Sequence, residues 1–303
     1  MQHLLVVGGS GYLGQFLLAG LSQSFQITYT YGKNRLQTAA EGTASAAQVD
    51  CSTGEGFSSL FLGQVFHAVI NCAAISQPGV CEKDPASARS INIPTHLIAQ
   101  LRLQQERAGV CALLLHISTD QVYDGSHALS TEEQACHPVN VYGRSKLEAE
   151  QAVQAAWPHH VILRSSIIYG PPPPQPVSRA LFLQFVEGVL RDQRQTSFFD
   201  DEWRSPIFVG DIVKVCDKLL GMASLPAERK TYNMGGPERL SRVDMAHQVA
   251  EARGFGSRCI LPASASSVDR GVASPADISM DSSELSKLLG MAPLAFAAAL
   301  QLF

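Results

Sequence analysis

The sequence predicts an α/β protein: a doubly wound parallel sheet that carries a smaller C-terminal subdomain. Three observations lead there. His3 to Val7 (HLLVV) is apolar on both faces, as a strand held between two helical layers has to be. It runs directly into Gly8-Gly9-Ser10-Gly11-Tyr12-Leu13-Gly14, and a helical pattern follows through Leu21. Beyond it, short apolar runs alternate with helix-favouring stretches as far as Gly170, which is the rhythm of βαβ units.

Strand, glycine turn and helix N-terminus in that order make an anion seat. The glycines let the backbone approach a pyrophosphate, and the helix end supplies unpaired N–H groups. The run satisfies G-x-x-G-x-x-G at 8, 11 and 14 and G-x-G-x-x-G at 9, 11 and 14, and it lacks the G-K-[ST] ending of a phosphate loop. A Rossmann-type seat for a dinucleotide is the expectation; the alternative is a glycine-rich turn of some other α/β protein. Gln26 to Tyr31 (QITYTY) reads as the second strand. A chain that reads NAD places Asp or Glu about 20 residues past the glycines to hold the ribose 2′-OH. No acidic residue occurs here before Glu41. Lys33 and Arg35 occupy the region and suit a 2′-phosphate, so NADP(H) is the expected cofactor. Two basic residues on a solvated loop would leave the same pattern.

Ala47 to Asp50 reads as the third strand, and Val65 to Ala74 (VFHAVINCAA) as the fourth, its small Cys72-Ala73-Ala74 end able to lie close to a cofactor. Ser87 to Arg107 is helical and interrupted at Pro94, which either opens a helix or kinks one. Cys111 to Ile117 is another buried strand, with His116 a packed core residue rather than a catalyst. It leads into Ser118-Thr119-Asp120-Gln121-Val122-Tyr123-Asp124-Gly125, polar residues at a strand's carboxyl end, where open α/β sheets place ligands.

Leu147 to Ala156 favours helix and Pro158 closes it. If that helix reaches back to Tyr142, the i,i+4 spacing puts the phenol of Tyr142 and the ammonium of Lys146 on one face. A free tyrosine, pKa ~10, is a poor acid-base catalyst at neutral pH. A cation about 4 Å away, at an effective dielectric near 20, favours the phenolate by roughly 4 kcal/mol, with desolvation opposing it. Such a pair can bring a tyrosine into the range useful for proton transfer. Taken alone, the same spacing fits an ordinary exposed tyrosine and lysine. The strand Val161 to Leu163 then precedes Arg164-Ser165-Ser166-Ile167-Ile168-Tyr169-Gly170.

At Pro171 the texture changes. Pro171 to Pro174 and Pro176 form a stiff extended lip or hinge. Leu181 to Leu190 reads as helix, and Phe198 to Ser205 (FFDDEWRS) gathers aromatics, carboxylates and Arg204. Ile207 to Leu220 looks like a helix returning to the main sheet, Tyr232 to Gly236 a short strand and turn, and Arg242 to Ala252 a helix. Ser264 to Ser279 is loop-like and Ser282 to Leu289 is a final helix. Residues 1–169, joined by about 207–221, form the dinucleotide-binding domain; 170–206 and 222–303 form the smaller, substrate-binding subdomain.

The 303 residues are 46% hydrophobic and 17% charged, ordinary for a soluble globular chain. A net charge of −4 gives no reason to expect nucleic acid or an anionic membrane surface. Seven widely spaced cysteines (51, 72, 81, 111, 136, 216, 259), with no C-x-x-C pair, argue against disulfides or zinc and fit a reducing cytoplasm. Nine histidines show no H-E-x-x-H pattern, and no metal site is expected. The opening apolar run is too short for a signal or membrane segment.

With the glycine turn, STDQVYDG and PVNVYGRSK in that order, the chain resembles the extended short-chain dehydrogenase/reductase family over nearly its whole length. Within it, the chain is most similar to dTDP-4-dehydrorhamnose reductases and to the regulatory β subunit of methionine adenosyltransferase. The shared features are STD-x-V-[YF]-DG, P-x-N-x-YG-x-[ST]-K at Pro138 to Lys146, R-x-x-x-x-YG at Arg164 to Gly170, and D-S-S-E-L at Asp281 to Leu285. The resemblance implies a catalytic triad of Thr119, Tyr142 and Lys146. Tyr142 would protonate the developing alkoxide, Thr119 would hold that oxygen, and Lys146 would bind the nicotinamide ribose while lowering the tyrosine pKa.

It also implies cofactor contacts from Gly8, Ser10, Gly11, Tyr12, Leu13 and Gly14, from Lys33 and Arg35 at the 2′-phosphate, and from Asp50 and Cys51 near adenine. Cys72, Ala73, Ala74, Asn92, Ser118 and Ser165 line the same ligand. Ser76, Thr119, Asp120, Tyr169, Trp203 and Arg204 fall on the substrate side. There the reductases carry a D-Q-x-G-x-P-T-like stretch, and here Arg204 replaces a glycine and Ile207 a threonine. The expected function is NADPH-dependent reduction of a keto group on a nucleotide-sugar or other small carbonyl substrate. A non-catalytic NADP-binding regulatory subunit and a sugar-nucleotide epimerase or dehydratase stay open, as does a homodimer.

Overall fold

The computed structural model describes residues 1–37, 44–177, 181–226 and 230–303. Among them, no helix is long and apolar enough to cross a membrane. The chain begins with β1 (His3–Val7), α1 (Tyr12–Leu21), β2 (Gln26–Tyr31), β3 (Ala44–Gln48), α2 (Phe57–Gly63) and β4 (Ala68–Asn71). Helices α3 (Pro78–Lys83), α4 (Pro85–Asn92) and α5 (Thr95–Ala108) lead to β5 (Leu113–Thr119), α6 (Val141–Ala156) and β6 (His160–Ser165). After β7 (Ile168–Tyr169) come α7 (Phe182–Arg191), β8 (Thr196–Phe199), β9 (Trp203–Arg204), β10 (Ile207–Phe208) and α8 (Val209–Leu220). The rest is β11 (Thr231–Met234), β12 (Leu240–Ser241), α9 (Arg242–Arg253), β13 (Ile260–Ala263), α10 (Ser283–Leu289) and α11 (Phe296–Leu300).

Seven strands form one parallel sheet in the order β11-β6-β5-β4-β1-β2-β3. The order turns back between β1 and β4, so β1 and its glycine turn sit at the topological switch point, where doubly wound sheets bind ligands. Strand alternation sorts the core. Leu4, Val6, Leu115 and Ile117 face one layer with residues of α1, α8 and α10, whereas Leu5, Val7, Val69 and Leu114 face the other with α2 and α5. A separate cluster built from α7, α9, α11, β8 and β13 forms the smaller lobe.

Several boundaries move relative to the sequence reading. The third strand starts earlier, at Ala44. The helix around Pro94 is two helices, with Pro94 standing just before α5 as its cap. The sharpest revision concerns 222–303. β11 pairs with β6 inside the main sheet and α10 packs on its core, so this segment is divided between the two lobes.

Candidate active site

The glycine turn is a cradle with no room for side chains. Gly8 holds φ +80°, and a Cβ there would stand 2.9 Å from the Ala73 backbone. At Gly9 it would meet Tyr29 Cβ at 2.5 Å, and at Gly14 it would meet Gly9 Cα at 2.5 Å. Gly11, the exposed residue before α1, meets only Gly8 O, at 3.2 Å, so the cradle is packed from beneath and open above. Ser10 is half-buried at the turn, and Leu13 is packed in the core. The proline segment lies across the first turn of α1. Tyr12 Oη donates to Pro171 O at 3.0 Å, and Gln15 exchanges hydrogen bonds with the Gln175 backbone at 2.9 and 3.1 Å. Gln175 Oε1 also accepts from Gln37 N at 2.8 Å. The expected lip is thus tied to both the glycine turn and the loop after β2, on which Lys33 and Arg35 stand exposed.

Around the turn, Cys72 Sγ donates to Val7 O at 3.0 Å, and burial pushes its thiol up to about 12. Cys51 and Ala74 are half-buried, and Ser76 is exposed on the loop before α3. Asp50 stands at the exit of β3, its carboxylate accepting from Ser52 N (2.8 Å) and Ser52 Oγ (2.6 Å). Those bonds hold its pKa below the ordinary carboxylate value.

At the exit of β5, Thr119 Oγ1 donates to Asp120 Oδ1 at 3.1 Å and accepts from Gln121 N at 3.3 Å. Asp120 is buried, and burial raises its pKa against the opposing charge of Arg204. Ser166 Oγ donates to Asp120 Oδ2 at 2.8 Å, while the expected Ser165 turns its hydroxyl to Ser166 O. Ser166 was not singled out by the sequence; its signal is only that it follows β6 as Asp120 follows β5.

α6 is pinned to this corner by its own sequence. Asn140 caps it, accepting from Gly143 N at 2.9 Å and donating to Gln121 Oε1 at 3.0 Å. Gly143 packs directly on Gln121 O, where any side chain would collide. Tyr142, next to Gly143 in the first turn of α6, is buried in a small cluster with Cys81 and Ala88. One turn later Lys146, only 2% exposed, donates from Nζ to Ile117 O at 2.7 Å and lies 3.3 Å from His116 Nε2. Burial lowers its pKa to about 8. His116 in turn meets Asn71 Nδ2 through Nδ1 at 3.2 Å. It is fully buried, as a core residue should be, yet it touches the lysine that the sequence marked as functional.

Four expected ligand-side residues point elsewhere. Asn92 is fully buried and clamps the loop above the glycine turn: it accepts from Ile75 N and donates to Ile75 O and Ser145 Oγ. Ser118 alternates away from Thr119 and donates to Glu150 Oε1 at 2.5 Å, within a buried ion pair that Glu150 makes with Arg164 at 2.8 Å. Tyr169 is packed in the smaller lobe against Phe208 and Phe296. Arg204 is 3% exposed and donates to Trp203 O, Ala276 O and Pro275 O, so its fork fastens the 274–276 loop to β9. Trp203 remains half-buried with the Arg239 guanidinium 3.8 Å over its ring. Arg242, which was not anticipated, stacks on Phe182 at 4.9 Å, and burial and Arg204 push its pKa down to about 9.

The RmlD substrate binding domain matches residues 1–303, the whole chain. The chain belongs to that family. Methionine adenosyltransferase 2 subunit beta from Mus musculus is 28% identical over 288 residues, 95% of this chain and 82% of the relative. A dTDP-4-dehydrorhamnose reductase from Mycobacterium tuberculosis is 30% identical over 235 residues, 75% of this chain and 72% of that one. Among solved structures, a dTDP-4-dehydrorhamnose reductase from Bacillus anthracis in complex with NADP superposes with a TM-score of 0.82 at 21% identity, covering 99% of this chain and 98% of that one. The RmlD-type fold thus extends over both lobes.

Proposed function

We propose that this chain is an NADP(H)-dependent reductase of a keto group, acting on a nucleotide-sugar or another small carbonyl substrate. The observation that carries the reading is the placement of α6: Gly143 packs on Gln121 O in the turn after Thr119, and Lys146, one helical turn beyond Tyr142, is buried against Ile117 O of β5, two strands from the glycine cradle. The cradle fits a dinucleotide: Gly8, Gly9 and Gly14 leave no space for a Cβ, while Gly11 is exposed above them. Lys33 and Arg35 are free of regular structure and suited to the 2′-phosphate. When bound, the nicotinamide supplies the hydride. Tyr142 gives its phenolic proton to the substrate oxygen, and Thr119 Oγ1 hydrogen-bonds that oxygen. Lys146 favours ionisation of the phenol as that proton leaves. The relatives named as reductases, and the neighbour solved with NADP, support the same reading.

Purified protein given NADPH and a panel of 4-keto sugars and small ketones should consume the cofactor. Tyr142→Phe should abolish turnover and leave NADPH affinity nearly intact; a large loss of binding would contradict the acid role. The similarity to methionine adenosyltransferase 2 subunit beta over 95% of the chain favours a second reading, an NADP-binding regulatory subunit. Tight NADPH binding with no consumption on any carbonyl would select it.

A further inference from the structure

The hydrogen bonds around Lys146 have a direction. Ala73 N–H, in the backbone packed on Gly8, donates to Asn71 Oδ1 at 3.3 Å. The NH2 of that amide therefore faces His116 Nδ1, which must accept. A neutral imidazole then carries its proton on Nε2, aimed at Lys146 Nζ 3.3 Å away. An ammonium has no lone pair to receive it, whereas a neutral amine does, and it still donates to Ile117 O.

We propose that His116 and Asn71 are positioning residues that couple the charge on Lys146 to the Ala73 backbone in the glycine cradle. With Lys146 an amine, the chain runs Asn71 Nδ2–H to His116 Nδ1, and His116 Nε2–H to Lys146 Nζ. With Lys146 an ammonium, one proton has been taken from solvent. Nζ then donates to His116 Nε2, the ring proton sits on Nδ1, and the Asn71 amide rotates to accept it. Rotation withdraws Oδ1 from Ala73 N–H, freeing that donor beside the pyrophosphate seat. The burial of His116 keeps the ring neutral throughout, its pKa held well below the ordinary histidine value by burial and by Lys146. The other titratable groups facing the pair are Glu150 on α6, Cys72 after β4 and His160 on β6. Glu150 is committed to Arg164, Cys72 is held as a thiol, and His160 donates from Nδ1 to Trp157 O, so Lys146 is the group that changes charge.

Histidine-labelled full-length protein tests this without a ligand. The His116 nitrogen shifts, assigned with His116→Asn, should report Nε2–H at pH 9.5 and Nδ1–H at pH 6.5, and the Ala73 amide should move with the same midpoint near 8. Lys146→Met should lock one tautomer. A single tautomer across the range, or an Ala73 amide indifferent to it, overturns the proposal. The consequence for the cofactor rests on the reductase reading. NADPH affinity should fall about tenfold from pH 7 to 9, as expected for uptake of one proton. Asn71→Asp, an acceptor whichever way it turns, should flatten that dependence, and an unchanged slope would refute the link to the cradle. Failure of NADPH to bind at any pH would sink the reductase reading, while the tautomer and amide shifts would still decide the coupling.

Discussion

Replacing Lys146 by methionine should stabilise the fold while abolishing turnover. The side chain is 2% exposed, and its pKa drops from 10.5 to about 8, with burial the largest cause. A depressed lysine costs stability wherever the unfolded chain holds the proton more firmly. The cost is absent above pH 10.5, grows as pH falls toward 8, and is constant below that. Two and a half units correspond to about 3 kcal/mol. Methionine has a similar length and no charge to desolvate, but it forfeits the bond to Ile117 O, worth about 1 kcal/mol. At pH 7 the variant should therefore be about 1–2 kcal/mol more stable, a rise of roughly 2–4 °C in Tm for a chain of this size. The advantage should vanish between pH 8 and 10.5. Thermal melts and urea titrations at pH 7, 8.5 and 10 measure it, with NADPH consumption followed in parallel. A variant less stable than the parent at pH 7, or a difference independent of pH, would show that Lys146 is not a strained amine.

Three further perturbations follow from contacts elsewhere. Gly14→Ala should force α1 away from the glycine turn, because its Cβ has backbone at 2.5 and 2.6 Å; NADPH affinity should fall at least tenfold by fluorescence titration, more than for Gly11→Ala. Glu150→Gln leaves Arg164 buried without its partner, and chemical denaturation should register a loss of about 3–5 kcal/mol. Arg204→Gln should loosen the 274–276 loop, seen as faster amide exchange there and a loss of about 1–3 kcal/mol, since Pro275 O loses its donor while Trp203 O and Ala276 O keep only a backbone N–H.

The sheet was legible because its signals are local. An all-apolar strand, a glycine turn and a helix N-terminus each announce themselves within a few residues, and their order forces the parallel crossover. Pro94 could be seen as a break but not as a start, since that depends on whether Pro85 also opens a helix. β11 was the harder case. Four residues, TYNM, carry no sign of which strand they will pair with, and β6 lies 60-odd positions upstream. In the site, the spacing of Tyr142 and Lys146 put them on one helix face but fitted an exposed pair equally well; their burial comes from how α6 packs. Ser118 was legible too, had alternation been applied: it shares a face with His116, toward α6, and opposes Thr119. Arg204 was not. A charged residue in a motif looks like a ligand contact until its donors are counted against backbone carbonyls supplied from more than 70 residues away.

That same counting explains why α6 can hold a depressed lysine at all. Tyr142, Lys146 and Glu150 succeed one another at i, i+4 and i+8, and the last two reach β5 at Ile117 O and Ser118 Oγ. A glutamate one turn beyond a lysine would ordinarily pair with it and raise its pKa. Here Glu150 takes the Arg164 fork through Nε and Nη2 and also accepts from Ser118, so its pull on the Lys146 pKa is outweighed by burial. Arg164 in turn donates to Tyr123 Oη, which donates to Asn233 Oδ1, anchoring the carboxylate away from the Tyr142 end of α6. Exchange Arg164 for an apolar residue and Glu150 has only Lys146 left to pair with. The amine would then become a fixed ammonium, and the pH response of the site would move upward even though no residue touching substrate had changed.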